Sequence, residues 1–324
     1  MYLSSSYGEM GNIFAPTRDT LSKAAETIKN GGLVAFPTET VYGLGANALD
    51  AAAVRKIFDA KGRPQDNPLI LHVANIREAS LYADMNPSAE LLMQHFWPGP
   101  LTIVLYSSDI VPLVTRGNLE TVALRVPMNY IALELIHATG LPIAAPSANR
   151  SGRPSPTNAE TVRNDLGSAV DMIIDGGASS IGVESTVIDA TGKKIAILRP
   201  GGVTREMLEH IVDVEAEGSS NHARSPGTRH KHYAPSIGVS LWQNDNFEIF
   251  SEPAGSWCYL GMRQPPEGSA AQIIFHSLGE YAHELFHALR KLERCGAKRI
   301  IADLPEGDGI GEAIRNRLIR AAGC

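Results

Sequence analysis

The feature that most restricts the fold of this 324-residue chain is the stretch from Gly31 to Val73. A Gly-Gly break opens it, an apolar strand from Leu33 to Phe36 follows, and that strand leads into the polar sequence PTET. Gly43 and Gly45 come next, in a predicted loop where glycines let the backbone approach a ligand without an intervening side chain. The stretch therefore predicts a buried strand that ends at a binding loop.

A helix and a second strand complete this stretch. Asp50 has the chemistry of an N-cap and precedes apolar residues at helical spacing. The helix ends at the sequence KGRP, which sets Lys61 and Arg63 two residues apart, and Asn67 leads into the buried strand LILHV. Cations at a helix C-terminus can simply complement the helix dipole. Two cations, an amide and several hydroxyls between two buried strands favour an anion-binding site instead.

Composition restricts the class of protein. Hydrophobic residues make up 44% of the chain and charged residues 20%, as in ordinary globular proteins, and the length allows two cores. The net charge of −6 and the pI of about 5.9 argue against a broad nucleic-acid surface. Apolar runs stay short of the ~20 residues of a membrane span, and the first residues do not match a signal peptide. We therefore expect a cytoplasmic protein with no membrane partner and no tight nucleic-acid binding.

Cysteine and histidine spacing gives no metal site. Cys258, Cys295 and Cys324 are widely separated, which predicts neither a disulfide framework nor a metal cluster and fits a reducing compartment. The sequence HELFH, from His283 to His287, matches the zinc-protease pattern on a helix. That pattern is short, and the surrounding leucines give the helix an ordinary core face. We therefore expect this segment to be structural.

The order of strands and helices predicts an α/β fold in two domains. In the N-terminal domain, residues 1–212, strands and helices mix without strict alternation, which predicts a twisted mixed sheet with flanking helices. Residues 213–235 lose periodicity and form a long linker. Residues 236–324 combine short buried strands with two helices, which predicts a smaller three-layer α/β, Rossmann-like domain.

Three motifs carry a resemblance to a known family. They are the pair Lys61 and Arg63, the later sequence SAN that begins at Ser147, and SPGTRHKHYAP at residues 225–235. In these motifs the chain resembles the YrdC-like family of L-threonylcarbamoyl-AMP synthases, in its two-domain long form. The third motif departs from the family at Thr228, where the two-domain members often carry methionine. The resemblance covers nearly the whole chain and implies that its N-terminal domain is YrdC-like and catalytic.

The resemblance implies a reaction and its participants. L-threonine, bicarbonate and ATP would give threonylcarbamoyl-AMP and pyrophosphate, in a nucleotidyltransferase reaction that uses Mg²⁺ with ATP. The product would pass to separate tRNA threonylcarbamoyl transferase proteins, which modify the adenosine beside the anticodon. Such a reaction requires no protein nucleophile, so catalysis would come from positioning and from cations placed against phosphate charge.

The resemblance also implies which residues contact each substrate. The catalytic pair is Lys61 and Arg63. The implied ATP contacts are Arg63, Asn67, Thr121, Ser147, Asn149, Ser155, Arg199 and Tyr233. The implied threonine contacts are Thr40, His72, Arg125, Ala145 and Ser185. No residue is assigned to a metal.

Several of these residues also have a structural interpretation. Arg125 lies in the apolar strand TVALRVP, and a buried arginine requires an anionic partner, which by default is a structural ion pair. The resemblance instead gives it the threonine carboxylate, held bidentately. Thr121, four residues earlier, lies on the same side of the strand. His72, between two apolar residues, has the alternative interpretation of a satisfied core histidine. Gly201 and its neighbour would let the loop after Arg199 approach a nucleotide.

Two further alternatives concern the linker and the function. The linker at residues 213–235 is either a plain hinge or, as we prefer, a lid over the nucleotide with Tyr233 in contact with ATP. A rival function is an RNA-binding or ribosome-associated module, which the acidic balance disfavours. A second rival is a carbamoyl-transfer enzyme of metallocentre maturation, which would share this type of domain. Such enzymes usually add zinc-finger modules, and the chain has no paired cysteine motif.

Overall fold

The structure, a computed structural model, describes residues 11–216, 232–243 and 246–323. The strands are β1 (Ile13–Phe14), β2 (Val34–Phe36), β3 (Gly43–Asn47), β4 (Ile70–His72), β5 (Leu101–Tyr106), β6 (Thr121–Arg125), β7 (Ile143–Ala144), β8 (Met172–Ile174), β9 (Thr186–Asp189), β10 (Ala196–Arg199), β11 (Gly238–Trp242), β12 (Trp257–Gly261), β13 (Gln272–Ile274) and β14 (Arg299–Asp303). The helices are α1 (Arg18–Lys29), α2 (Ala51–Lys61), α3 (Ile76–Ala79), α4 (Pro87–Phe96), α5 (Tyr130–Thr139), α6 (Ala159–Leu166), α7 (Arg205–Glu209), α8 (Leu278–Leu292) and α9 (Ile310–Ala322). Within these ranges, no helix combines the length and the apolarity that crossing a bilayer requires. Most of the predicted linker, including residues 225–231 of its motif, lies outside the described residues.

The first ten strands form one mixed sheet. Their order is β1-β8-β2-β3-β7-β4-β6-β5-β9-β10, with parallel and antiparallel neighbours interspersed. Side chains alternate across it, so Val34 and Phe36 pack with α1 and α5 while Ala35 packs with α2 and α4. The predicted mixed sheet with flanking helices is confirmed.

The central strands β4 and β6 present polar side chains on the face opposite α2. Ile70 and Ala123 share a small apolar cluster on that face. His72 and Arg125 follow two residues later on the same strands and are register partners across the parallel pair. Because alternation has a period of two, both project to the same side, as does Thr121. The candidate site is built on this face.

The end of α2 places the KGRP cations. The Asp50 carboxylate accepts hydrogen bonds from the N–H groups of Ala52 (2.8 Å) and its neighbour, so the predicted N-cap is confirmed. Gly62 ends the helix with a φ of 60°, a left-handed conformation that glycine adopts without strain. The reversal leaves Lys61 on the last turn and sends Arg63 beyond it, with both side chains buried.

Gly43 and Gly45 lie in strand β3, so the predicted loop is wrong at these positions. Their missing side chains accommodate protein, because a Cβ on Gly45 would lie 2.7 Å from the Phe36 ring and 2.8 Å from Ile143. A Cβ on Gly201 would overlap the backbone of Glu184 to Thr186. These glycines allow close packing of neighbouring chain segments in the wall of the site.

The second domain is a small parallel sheet with two helices on one face. Its strand order is β11-β14-β12-β13, all parallel. Cys258 and Leu260 face α8 and α9, while Trp257 and Tyr259 face an aromatic cluster with the short helical turn at Phe247–Phe250. The α/β domain predicted for this part of the chain is confirmed. The leucines of HELFH and its surroundings are buried in the α8 core face, as the periodicity predicts.

The expectation that the cysteines form no disulfide is wrong. Cys258 on β12 and Cys295, just after α8, are joined by a disulfide across a separation of 37 residues. The two meet only because α8 packs back against β12. Their spacing along the chain does not show this contact.

Charged contacts join the two domains beside the candidate site. Arg290 on α8 forms a two-bond ion pair with Asp165 at the end of α6, at 2.9 and 2.6 Å. Glu293, one turn later, pairs with Arg153 at 2.6 Å. Arg290 also donates to the carbonyl oxygen of Pro154, so Arg290 and Glu293 together hold the loop between β7 and α6, which carries the sequence RSGRPSPT. The boundaries at 212 and 235 remain predictions.

Gly182 lies against the backbone of the second domain and gives a test of the docking of the two domains. Its φ is +84°, and a Cβ there would overlap the backbone of His283 on α8. Gly177 has a similar φ of +79° with open space around it. We expect Gly177→Ala to cost about 1–2 kcal/mol for its left-handed conformation, and Gly182→Ala about 1–3 kcal/mol more for the overlap. Urea unfolding of the two variants measures the difference, and equal losses would contradict this packing.

Candidate active site

A buried cavity lies between the central strands of the large sheet and the second domain. Its volume is about 60 Å³. The lining residues are Thr38, Thr40, Val41, Tyr42, Gly43, Arg63, Pro68, Leu69, Ile70, His72, Arg125, Ala145, Pro146, Ser147, Glu184, Ser185, Arg199, His232 and Tyr233. Three guanidinium groups therefore meet one carboxylate and several hydroxyls in an enclosed space.

Arg63 is a buried cation with only carbonyl partners. Its Nη2 donates to the carbonyl oxygens of Pro68 (3.1 Å) and Asn67 (3.4 Å). No carboxylate in the described part of the chain lies within ion-pair distance of it, and its Nε has no hydrogen-bond partner there. Burial lowers the pKa of Arg63 to about 10, so the side chain stays charged at neutral pH. The site thus holds a positive charge that an anionic ligand would neutralise.

Arg125 combines the structural ion pair with a position on the cavity wall. Its Nη2 lies 2.6 Å from the carboxylate of buried Glu39, and its Nη1 donates to the Thr40 hydroxyl at 3.0 Å. Its Nε donates to the Gly99 carbonyl at 3.2 Å. The guanidinium is held on three sides, and its orientation is therefore fixed before any ligand binds.

Arg199 and Ser185 form the third corner of the cavity. Arg199 donates to the Ser185 carbonyl oxygen from Nε (3.1 Å) and Nη2 (2.9 Å). The Ser185 hydroxyl lies 2.7 Å from that of Thr102, at the parallel β5–β9 pair. The start of β9 therefore brings a cation and a hydroxyl to the same wall.

Two neutral imidazoles border the cavity. Burial, followed by the Arg125 charge, lowers the pKa of His72 to about 3. Burial and the Arg63 charge lower the pKa of His232 to about 3 as well. His72 Nδ1 and His232 Nε2 are buried without a hydrogen-bond partner among the described residues. Each ring can therefore donate to or accept from a ligand without adding charge.

Lys61 stands behind the cavity wall. Its ammonium donates to the carbonyl oxygens of Ser147 and Asn149, and the Ser147 hydroxyl donates to Asn149 Oδ1 at 2.6 Å. Burial, then the charge of Arg63, lowers the pKa of Lys61. Lys61 therefore shapes the turn that presents Ser147 to the cavity.

The fourteen site residues that the family resemblance implies divide into two groups. Those that line the cavity are Thr40, Arg63, His72, Arg125, Ala145, Ser147, Ser185, Arg199 and Tyr233. Those that lie outside its lining are Lys61, Asn67, Thr121, Asn149 and Ser155. Lys61, Asn149 and Ser155 bond to lining residues, whereas Thr121 lies at the other end of β6 from Arg125.

Sequence analysis missed Glu184, the one carboxylate among the described lining residues. It is 7% exposed and accepts a hydrogen bond from the Ser155 hydroxyl. Burial raises its pKa, but the guanidiniums of Arg317 and Arg199 outweigh burial and leave the pKa below its usual value. The available signal was an acidic residue two positions before the buried strand β9.

Tyr233 closes the cavity from the side of the second domain. It has a φ of 65°, unusual for a non-glycine residue, and is 4% exposed. Its ring stacks on Phe286 of α8, with centroids 5.2 Å apart. Its preceding residue His232 lies against it at 5.6 Å. The last residues of the predicted linker are therefore part of the site wall.

Two family models match the chain. The first, Sua5_yciO_yrdC, described as telomere recombination, matches residues 26–201. The second, described as threonylcarbamoyl-AMP synthase, C-terminal domain, matches residues 203–323. Together they cover both domains.

Curated proteins and a solved structure resemble the chain over nearly its whole length. The threonylcarbamoyl-AMP synthase of Pyrococcus abyssi is 46% identical, over 93% of each chain. That of Bacillus subtilis is 42% identical, over 94% of this chain and 93% of its own. A crystal structure of Pyrococcus abyssi Sua5 complexed with L-threonine superposes with a TM-score of 0.87 at 42% identity, over 96% of this chain and 97% of that one.

Proposed function

Because this chain belongs to the threonylcarbamoyl-AMP synthase family, in the form that carries both domains, we propose that it joins L-threonine, bicarbonate and ATP. The products are threonylcarbamoyl-AMP and pyrophosphate. The family's enzymes are ATP-using nucleotidyltransferases, and the threonine complex of the Pyrococcus abyssi relative supports threonine as the amino acid. The cavity would therefore have to bind ATP and threonine next to each other.

The observation that carries the proposal is the convergence of Arg63, Arg125 and Arg199 on one buried cavity. Buried charges are costly unless they are compensated, so three guanidiniums in one enclosed space indicate anionic ligands. A triphosphate and an amino-acid carboxylate supply such anions side by side. Among the described residues, Glu39 pairs with Arg125 and Glu184 with Arg317, and no carboxylate pairs with Arg63.

Threonine would bind at the Arg125 corner. The guanidinium faces its carboxylate, and the hydroxyls of Thr40 and Ser185 and the imidazole of His72 supply neutral hydrogen-bonding groups. Ala145 would contribute its backbone. Glu39 stays behind Arg125 and fixes its orientation.

ATP would bind toward Arg63 and Arg199, with Ser147 at the turn held by Lys61 and with Tyr233 over the nucleotide. The threonine amine attacks the carbon of bicarbonate, which releases water, or of CO₂, which releases the amine proton to solvent, and either reaction forms a carbamate. The carbamate oxygen then attacks the α-phosphorus of ATP, and the bond to pyrophosphate breaks. Cations fixed against the developing phosphate charge lower the barrier without a covalent bond to the protein.

Mg²⁺ would enter with ATP and offset the charge of its phosphates. In the described part of the chain no three or more His, Cys, Asp or Glu side chains are grouped to hold a metal, and Glu184 is held by other groups. This fits an ion coordinated mainly by phosphate oxygens and water. The product would pass to the tRNA threonylcarbamoyl transferase proteins of the cytoplasm.

Pyrophosphate release tests the proposal. The purified protein with Mg²⁺-ATP should release pyrophosphate only when L-threonine and bicarbonate are both present, because each contributes atoms to the nucleophile. Equal release with L-serine, or after bicarbonate is removed, would contradict the substrate assignment. Salt-dependent RNA binding without ATP turnover would favour an RNA-binding module, and turnover of carbamoyl phosphate would favour the maturation enzyme.

A further inference from the structure

Arg317 is a fully buried cation that the second domain extends toward the first. It lies on α9 with no exposed side-chain surface. Its Nε donates to Glu184 Oε2 at 2.8 Å, and its Nη1 donates to the Pro200 carbonyl oxygen at 2.9 Å. One side chain of the second domain therefore contacts both segments that carry the third corner of the cavity, at Glu184 and just after Arg199.

Glu184 transmits this contact to the site. Glu184 Oε2 accepts a hydrogen bond from Arg317 Nε, and Glu184 Oε1 accepts one from the Ser155 hydroxyl. With both oxygens engaged, the carboxylate cannot rotate without breaking one bond. Arg317 therefore determines where Glu184 and, through it, Ser155 are held.

Arg317 also compensates a charge that would oppose the proposed substrate. Glu184 lines the cavity in which ATP phosphates would bind, and its carboxylate is ionised at neutral pH. Like charges in a low-dielectric site repel strongly. Paired with Arg317, the carboxylate presents little net charge to a phosphate.

The same guanidinium borders Tyr233. Its carbon lies 5.5 Å from the centre of the tyrosine ring, which stacks on Phe286 of α8. The second domain therefore holds Tyr233 between a cation and an aromatic ring. Its two helices therefore support the side chain of Tyr233, which lines the cavity.

We propose that Arg317 is a positioning residue for the reaction, and that the second domain acts on ATP binding through the Arg317–Glu184 pair. The inference rests on the proposed function, because it assumes that the cavity holds ATP. It assigns a task to a domain that carries none of the substrate residues implied by the family resemblance, and whose helices hold Tyr233 of the preceding linker.

Steady-state kinetics of four variants test this role. Arg317→Ala should raise KM for ATP by about tenfold to a hundredfold, because an uncompensated Glu184 carboxylate then faces the phosphates. Arg317→Lys should recover part of the loss, since it keeps the charge but not the bond to Pro200. The uncharged pair Glu184→Gln with Arg317→Met should return KM for ATP to within about threefold of the wild type, because such replacements can keep a buried site intact.

Arg315→Ala is the matched control. Arg315 lies two residues earlier on α9 and donates to the carbonyl oxygens of Pro305 and Gly307 within its own domain. It removes the same charge from the same helix, away from the cavity. Its KM for ATP should equal that of the wild type.

The outcomes separate the inference from the function it rests on. Wild-type KM in Arg317→Ala, or an uncharged pair that folds but is as impaired as the single variant, would overturn the role of Arg317. If Arg317→Ala does not fold, Arg317→Lys and the uncharged pair decide together. A raised KM for ATP in folded Arg317→Lys beside a lower KM in the uncharged pair supports the role, and a wild-type KM in Arg317→Lys or an inactive folded pair refutes it. A wild-type protein that releases no pyrophosphate overturns the proposed function instead.

Discussion

Arg63→Ala is expected to lower kcat/KM for ATP by about 10²–10³-fold, the effect of losing a buried charged contact worth several kcal/mol. The same change should not destabilise the free protein and should raise its unfolding temperature. Arg63 is 8% exposed, and burial lowers its pKa. Among the described residues, its hydrogen-bond partners are carbonyl oxygens. Folding buries its charge without an anion, at a cost that ATP phosphates would relieve. Function and stability thus change in opposite directions at this residue.

Thermal unfolding and ATP titrations of the variant measure both effects. Arg55→Ala is the control, since Arg55 lies on the exposed side of α2, six residues before Lys61. It should leave activity and unfolding temperature unchanged. A lower unfolding temperature for Arg63→Ala would show that its carbonyl bonds outweigh the burial of its charge, and would remove the argument that Arg63 is held for an anionic ligand.

Local chemistry explains why the KGRP segment could be predicted. The Asp50 cap, the apolar spacing of α2 and the Gly62 ending all depend on residues within one or two turns, which a sequence displays directly. The alternation that places Thr121 and Arg125 on one side of β6 is equally local. Where the chain dictates its own geometry over short distances, sequence and structure agree.

Glycines and buried carboxylates mark where prediction fails. The sequence predicted that Gly45 lies in a loop. Its glycine is required instead because the pairing of β2 with β3 brings the Phe36 ring against it, and this contact is not visible in the sequence. Glu184 meets Arg317 across 133 positions of the chain, so neither residue shows its partner in sequence. The same holds for Cys258 and Cys295. Contacts between distant segments decide which charges are paired, and the spacing of residues does not encode them.

Arg125→Met is expected to lower the stability of the protein, whereas Arg63→Ala is expected to raise it. Glu39 is 2% exposed, and among the described residues its carboxylate has Arg125 as its ion-pair partner. Removal of the guanidinium leaves a buried charge unpaired, which costs about 3–5 kcal/mol of stability. KM for threonine should rise by about a hundredfold or more, because the bidentate contact to its carboxylate is lost.

The double variant Glu39→Gln with Arg125→Met separates stability from binding. It removes both charges, so its unfolding temperature should return toward that of the wild type. Threonine use should not return, because the group that faces the substrate carboxylate is still missing. Threonine titrations in the pyrophosphate assay, beside thermal unfolding, measure the two quantities. Recovery of threonine use together with stability would mean that Arg125 serves only the ion pair, and the threonine carboxylate would then have to bind elsewhere in the cavity.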